Sequence, residues 1–216
     1  MPHNPYSPPT AQVDGVEENT PFDFSESVGY SFTPRQLWWA GVCCILGIVL
    51  TFPMLYFGYM ETINPIWNYA SLSTIYIATF LTIYVYIIFK KILTEKSLHC
   101  AANLAISLYI ISSVISALMA SLADDRSNTS LFTSPLWVAE YVISGLIHIY
   151  LGIKLLRCED LLFGLSKTIA YLSIAVGITT ASVVLVPIGL FVSIALEISM
   201  ALMFFRASKA LTKVQS

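Results

Sequence analysis

The fold of this chain is decided by residues 168–205, which read TIAYLSIAVGITTASVVLVPIGLFVSIALEISMALMFF and carry one charge, Glu197. Drawn as a single helix, this stretch would be about 57 Å long, nearly twice the roughly 30 Å hydrocarbon core of a bilayer. Pro187, followed by Ile188 and Gly189, interrupts it near its centre and leaves about 19 residues on either side. The stretch therefore predicts two consecutive membrane-spanning helices that meet at Pro187.

Four other apolar stretches precede it, so the sequence predicts an all-α integral membrane bundle of six transmembrane helices within residues 37–206. The predicted spans are 37–57, 67–89, 101–122, 136–153, 168–186 and 188–205. Residues 1–36 hold six of the ten prolines and five acids, which predicts a disordered, Pro-rich acidic cytoplasmic tail. Residues 207–216 form a short basic cytoplasmic C-terminus.

The positive charges favour a count of six spans. Ten of the eleven Lys and Arg residues then fall at helix ends that face one compartment: Arg35, Lys90, Lys91, Lys96, Lys154, Arg157, Lys167, Arg206, Lys209 and Lys213. Only Arg126 falls on the other side. Because Lys and Arg concentrate on the cytoplasmic side of multi-pass proteins, both termini are predicted to be cytoplasmic.

Composition limits the partners. Charged residues make up 11% of the chain, against about 25% in a soluble domain, so most of the surface is expected to face lipid. The acidic tail argues against nucleic-acid binding. The expected partners are the lipid bilayer and either another membrane protein or a second copy of the chain. The cysteines Cys43, Cys44, Cys100 and Cys158 contain no C-x-x-C pattern and are interpreted as small packing residues.

The opening residues Asn4-Pro5-Tyr6-Ser7-Pro8-Pro9 stand ahead of several apolar spans. They resemble the NPYxPP leader of many uncharacterised bacterial inner-membrane proteins. The resemblance covers these six residues and the general architecture. It implies a location in the bacterial inner (plasma) membrane, and it implies neither an activity nor any site residue.

Three ionisable residues lie within predicted spans: Glu140, His148 and Glu197. A charged group at the bilayer centre costs about 2.5–3.5 kcal/mol on insertion scales, so these side chains are expected to face the bundle interior. Glu140, Ser144 and His148 recur every four residues and therefore share one face of the fourth helix. Ser193 precedes Glu197 by one turn in the sixth helix.

Two hypotheses account for these intramembrane residues. In the first, Glu140, His148 and Glu197 form a polar track that passes protons or binds a cation. In the second, they hydrogen-bond between helices and fix the packing, with each bond contributing about 0.6 kcal/mol on average.

Other residues predict packing contacts. Ser173, Gly177 and Ala181 recur every four residues in the fifth helix, a pattern of small residues that lets two helix backbones approach closely. Polar residues of the second and third helices are expected to hydrogen-bond with one another: Asn103 and Ser107 of the third with Ser71, Thr74, Thr79 and Thr82 of the second.

No motif points to catalysis. Bis-histidine haem binding needs two intramembrane histidines, and only His148 lies within a predicted span. The H-E-x-x-H pair of zinc proteases, the P-loop and the dinucleotide glycine pattern are all absent from the sequence. We therefore predict no catalytic residue, no metal site and no cofactor.

The sequence favours a non-enzymatic multi-pass inner-membrane protein that acts through protein or lipid contacts, as an accessory subunit, a regulator or an immunity-type protector. This interpretation rests on short loops, few buried charges and the lack of a motif. The alternative is a small proton- or ion-coupled transporter or channel that uses Glu140, His148 and Glu197. A membrane enzyme acting on lipid is a weaker alternative.

Overall fold

A computed structural model describes residues 32–96, 102–122, 135–157, 164–182 and 184–215, and helices account for nearly all of them. No strand occurs in these ranges. The all-helical class predicted from the sequence is therefore confirmed. Most of the predicted tail, Cys100, Cys158 and the loop that contains Arg126 lie outside the described residues.

Six α-helices follow one another in the described ranges: α1 (Pro34–Ile63), α2 (Asn68–Lys96), α3 (Ala102–Leu122), α4 (Pro135–Leu156), α5 (Ser166–Ala181) and α6 (Val186–Gln215). A short 3₁₀ turn, Pro65–Trp67, joins α1 to α2. By length and composition, five of these helices are long and apolar enough to cross a membrane: α1, α2, α3, α4 and α6. The remaining helix, α5, has 16 residues and is about 24 Å long at 1.5 Å per residue.

The long apolar stretch forms two helices, as predicted, but the predicted position of the break was wrong. α5 ends at Ala181 and α6 begins at Val186, so Pro187 lies inside α6. Pro187 is the second residue of that helix, where a backbone N–H has no acceptor within the helix and its loss carries no penalty. Ser182 closes the turn instead, because its Oγ accepts a hydrogen bond from the Leu185 N–H at 3.1 Å.

Local sequence fixes both ends of α1. The Gln36 N–H donates to Thr33 Oγ1 at 3.3 Å and the Thr33 N–H donates to Gln36 Oε1 at 2.9 Å, which is a reciprocal cap. At the other end, the Ile66 N–H donates to Asn64 Oδ1 at 3.1 Å and starts the turn into α2. The helix therefore extends beyond the predicted span 37–57 at both ends.

The six helices close into a ring, because each packs against the next in sequence and α6 packs back against α1. Neighbouring helices run antiparallel. Between α2 and α3, for example, Lys90 Nζ donates to Ser107 Oγ at 2.8 Å and Thr94 Oγ1 donates to Asn103 Oδ1 at 3.2 Å. Asn103 and Ser107 thus hydrogen-bond with the second helix, but their partners are Lys90 and Thr94, which the prediction did not name.

The start of α1 and the end of α6 lie at the same end of the ring, where Ser208 Oγ donates to the Pro34 carbonyl at 2.8 Å. We call this the basic end and the opposite one the far end. All ten Lys and Arg residues of the described ranges lie near the basic end: Arg35, Lys90, Lys91, Lys96, Lys154, Arg157, Lys167, Arg206, Lys209 and Lys213.

The interior of the ring is packed unevenly along its length. The eleven largest fully buried side chains of the described residues all lie in the half next to the basic end, and we call them the apolar core: Leu37, Phe89, Ile92, Leu93, Ile106, Leu151, Leu155, Ile169, Met203, Phe204 and Leu211. Toward the far end, α1 has no buried residue beyond Cys44.

Glycines bring α4 and α5 into backbone contact. A Cβ placed on Gly177 would lie 2.6 Å from the Gly145 carbonyl oxygen, and one placed on Gly145 would lie 2.6 Å from the Gly177 carbonyl oxygen. A Cβ on Gly152 would likewise lie 2.6 Å from the Ala170 carbonyl oxygen. The close approach predicted from the small residues of the fifth helix is confirmed.

This contact predicts a sharp difference between two glycine-to-alanine substitutions. Gly177→Ala should destabilise the protein by about 1–3 kcal/mol, because α4 and α5 must separate to admit the methyl group. Gly58→Ala in α1 is the matched control, since its Cβ would meet nothing within 4 Å. It should be neutral or stabilising by up to about 1 kcal/mol. Thermal denaturation in detergent measures both, and equal midpoints for the two variants would contradict the backbone contact.

Candidate functional site

A cavity of about 80 Å³ lies at the centre of the ring, and all six helices contribute to its wall. The polar part of the wall comes from five of them, and α5 contributes Val176. The polar lining residues are Cys43, Cys44, Thr82, Tyr86, Tyr109, His148, Ser193 and Glu197. The ring thus brings together side chains that lie far apart in the sequence.

Glu197 is the acidic group of the cavity. Its Oε2 is buried and has no hydrogen-bond partner among the described residues. The carboxylate faces α1 at Gly47, where an added Cβ would lie 3.3 Å from Oε2. Ser193 lines the cavity one turn earlier in α6, and its hydroxyl donates to the Leu190 carbonyl at 2.8 Å. Because this hydroxyl uses its proton in that bond, its oxygen can still accept a hydrogen bond.

His148 is the second ionisable group of the cavity, and it is only 6% exposed. Its Nδ1 is buried and has no hydrogen-bond partner among the described residues. The imidazole packs edge-on against Tyr109, with ring centroids 4.6 Å apart, and Tyr109 in turn contacts Tyr86 at 4.4 Å. These rings hold the imidazole in place without satisfying its Nδ1.

The two unpartnered atoms, Glu197 Oε2 and His148 Nδ1, indicate which ligands the cavity favours. A buried polar group without a partner costs about 1–3 kcal/mol, so both atoms favour any small polar species that reaches them. A water molecule needs about 10–15 Å³ of such space, whereas a cavity that binds benzene measures about 150 Å³. The cavity of about 80 Å³ therefore suits a proton with a few water molecules or a small ion, and it is about half the size of the benzene-binding cavity.

The structure does not bring all the predicted site residues together. Ser193, His148 and Glu197 line the cavity, whereas Glu140 and Ser144 are half-buried in α4 outside its wall. Glu140 accepts a hydrogen bond from Ser116 of α3. This contact between helices is the packing role that the second hypothesis assigns to intramembrane acids.

Sequence reasoning missed three groups of the cavity. Cys44 was interpreted as a packing residue, yet it lies in the wall beside Glu197. Tyr86 and Tyr109 were not singled out. A tyrosine hydroxyl inside an apolar span is a signal that could have found them, but the chain contains twelve tyrosines, so the signal is not specific.

The cavity is not built like a metal centre. Among the described residues, no group of three or more His, Cys, Asp or Glu side chains is placed to hold a metal ion. The cavity offers one carboxyl and one imidazole group, together with the thiols of Cys43 and Cys44 and the phenols of Tyr86 and Tyr109.

Comparison of the chain with protein-family models, with curated proteins and with solved structures found no match in any of the three searches.

Glu197 and Glu140 should respond in opposite ways to the same substitution. Glu197→Leu should raise stability by about 1–3 kcal/mol, because it removes an unpartnered polar group from the cavity. Glu140→Leu should lower it by about 0.6 kcal/mol, because it removes a hydrogen bond between helices. Thermal denaturation in detergent compares the two variants, and a loss of stability in Glu197→Leu would indicate that this carboxyl has a structural partner.

Proposed function

We propose that this chain is a non-enzymatic, multi-pass protein of the bacterial inner membrane that crosses the bilayer six times and keeps both termini in the cytoplasm. The antiparallel ring supports an even number of crossings, since α5 packs between α4 and α6 and reverses the chain. The ten cationic residues at the basic end support the orientation, because cytoplasmic ends of multi-pass proteins collect Lys and Arg.

Within this topology, we propose that the protein is a small proton- or ion-coupled transporter or channel whose binding site is the central cavity. One observation carries the proposal: Glu197 Oε2 and His148 Nδ1 are both buried without partners, and both residues line the same cavity. A packing role would instead call for hydrogen bonds between helices, such as the one that Glu140 makes with Ser116. Intramembrane ionisable residues that face a cavity mark ion pathways and proton relays in membrane proteins.

The topology is tested by cysteine labelling in intact bacterial cells. With the native cysteines replaced by serine, Val184→Cys reports on the turn between α5 and α6, where the side chain is 84% exposed. Lys209→Cys, near the end of α6, is the control. A membrane-impermeant maleimide should label Val184→Cys in intact cells and Lys209→Cys only after permeabilisation. Labelling of Lys209→Cys in intact cells would contradict the cytoplasmic C-terminus.

The function is tested by proton flux in proteoliposomes that contain the purified protein and a pH-sensitive dye. Imposing a potassium diffusion potential should drive proton movement in the wild type. Glu197→Gln and His148→Gln should reduce the rate by about 10²-fold or more, because each removes a proton-exchanging group. Glu140→Gln is the matched control and should retain at least about half of the rate, since Glu140 lies outside the cavity wall.

Three outcomes would argue against transport. Equal flux in the wild type and Glu197→Gln would remove Glu197 from the pathway. Absence of flux together with a stably copurifying membrane protein would favour the accessory, regulatory or immunity-type role. Turnover of lipid by the pure protein would favour an enzyme.

A further inference from the structure

We propose that, in this conformation, the Glu197 site exchanges its proton or ion with the far end of the bundle only, because the apolar core closes it toward the basic end. Transport across the bilayer then requires a second conformation in which the core opens. The proposal rests on the proposed function for the nature of the ligand, but the sidedness of access follows from the packing. The proposal identifies the compartment from which the proton or ion reaches Glu197. With the proposed orientation, that compartment is the periplasm.

In every helix, the residues of the apolar core lie on the basic side of the residues that line the cavity. In α6, Met203 and Phe204 follow Glu197, and in α2, Phe89 follows Tyr86. The same order holds for the core residues of the other four helices. An ion moving from Glu197 toward the basic end would have to enter a layer of fully buried apolar side chains, where it would lose its hydration without replacement.

Among the described residues, the buried polar side chains on the basic side are three serines, Ser166, Ser173 and Ser208, which all belong to α5 and α6. The other four helices add none, so these serines do not replace the hydration of an ion across the layer. Ser208 donates to the Pro34 carbonyl at the very end of the ring. Lys90 and Ser107 hydrogen-bond with each other at the contact between α2 and α3, where both are half-buried.

The far side of the cavity is lined differently. Beyond the cavity wall, the buried described residues of this half are all small or polar: Asn68, Ser71, Thr74, Ala117, Gly145, Gly177, Thr179 and Gly189. No large apolar side chain is among them. The hydroxyls of Thr74 and Thr179 donate to carbonyls of their own helices at 2.8 and 2.9 Å, so their oxygens can still accept from water. This half therefore lacks the layer of large buried apolar side chains that closes the basic side, and its Asn, Ser and Thr side chains offer polar groups to water.

The groups that face the cavity with Glu197 share this one-sided access. They are Cys43 and Cys44 of α1, Tyr86 of α2, Tyr109 of α3 and His148 of α4, while α5 places only Val176 there. All of them lie between the apolar core and the far end. A proton that any of these groups exchanges therefore comes from the far end. For the same reason, the reactivity of Cys44 reports on access to the whole cavity.

The experiment uses Cys44 as that reporter, in a full-length variant that also carries Cys43→Ser, Cys100→Ser and Cys158→Ser. The probe is Ag⁺ in chloride-free buffer, because this ion is small enough for a cavity of about 80 Å³ and binds thiolates strongly. Right-side-out and inverted membrane vesicles present the two faces separately. After quenching and unfolding, a fluorescent maleimide measures the thiol that Ag⁺ has not reached.

Reaction of Cys44 should be at least about tenfold faster in right-side-out vesicles, which present the far end under the proposed topology, than in inverted vesicles. Ala207→Cys, placed in the packed half in a cysteine-free background, is the matched control and should react slowly from both faces. Phe204→Ala should raise the rate of Cys44 in inverted vesicles, because it opens the apolar core. Size-exclusion chromatography checks that each variant is folded.

Equal rates from the two faces, a faster rate in inverted vesicles, or no reaction from either face would each overturn the proposal. The result also separates this proposal from the proposed function. Sided access without proton flux would leave the access route standing and remove transport. Proton flux with equal access from both faces would leave transport standing and remove the one-sided route.

Discussion

The contact between the first and last helices is the constraint on which the rest of the molecule depends. α1 and α6 lie antiparallel, and Ser208 reaches back to the Pro34 carbonyl where the ring closes. This closure sets Gly47 opposite Glu197 and turns five helix-to-helix contacts into an enclosed interior. Without it, the carboxyl of Glu197 would face lipid, which membrane proteins avoid.

Glycines decide where the helices approach each other and where they leave space. Gly145 and Gly177 bring α4 and α5 to backbone contact, because even a methyl group at either position would clash with a carbonyl oxygen. Gly47 acts in the opposite sense, since the missing side chain leaves room for the carboxylate of Glu197. Glycine thus allows close contact between α4 and α5, and at Gly47 it leaves space at the centre of the ring.

Much of the fold was predictable from the sequence because it depends on lengths and charges that are local properties. The apolar stretches gave the helices, and the Lys and Arg residues gave the common end at which they meet. The position of the break was not predictable from Pro187, because proline is tolerated in the first turn of a helix and Ser182 supplied the turn.

The residues of the candidate site were predictable only in part. The cost of burying ionisable groups singled out Glu140, His148 and Glu197, but only the rotation of each helix within the ring could place two of them in the cavity wall and the third against Ser116.

The shortness of α5 has a consequence for the surrounding lipid. In the proposed topology α5 crosses the bilayer, and a helix of about 24 Å is several ångströms shorter than a typical hydrocarbon core, so the bilayer is expected to thin beside it. On either side of the turn the backbone is hydrogen-bonded locally, because the Ser182 N–H donates to the Ile178 carbonyl at 3.1 Å and the Leu185 carbonyl accepts from Ile188 and Gly189. Hydrophobic mismatch on this one flank would distort the membrane asymmetrically around the protein and favour its placement in thinner bilayers.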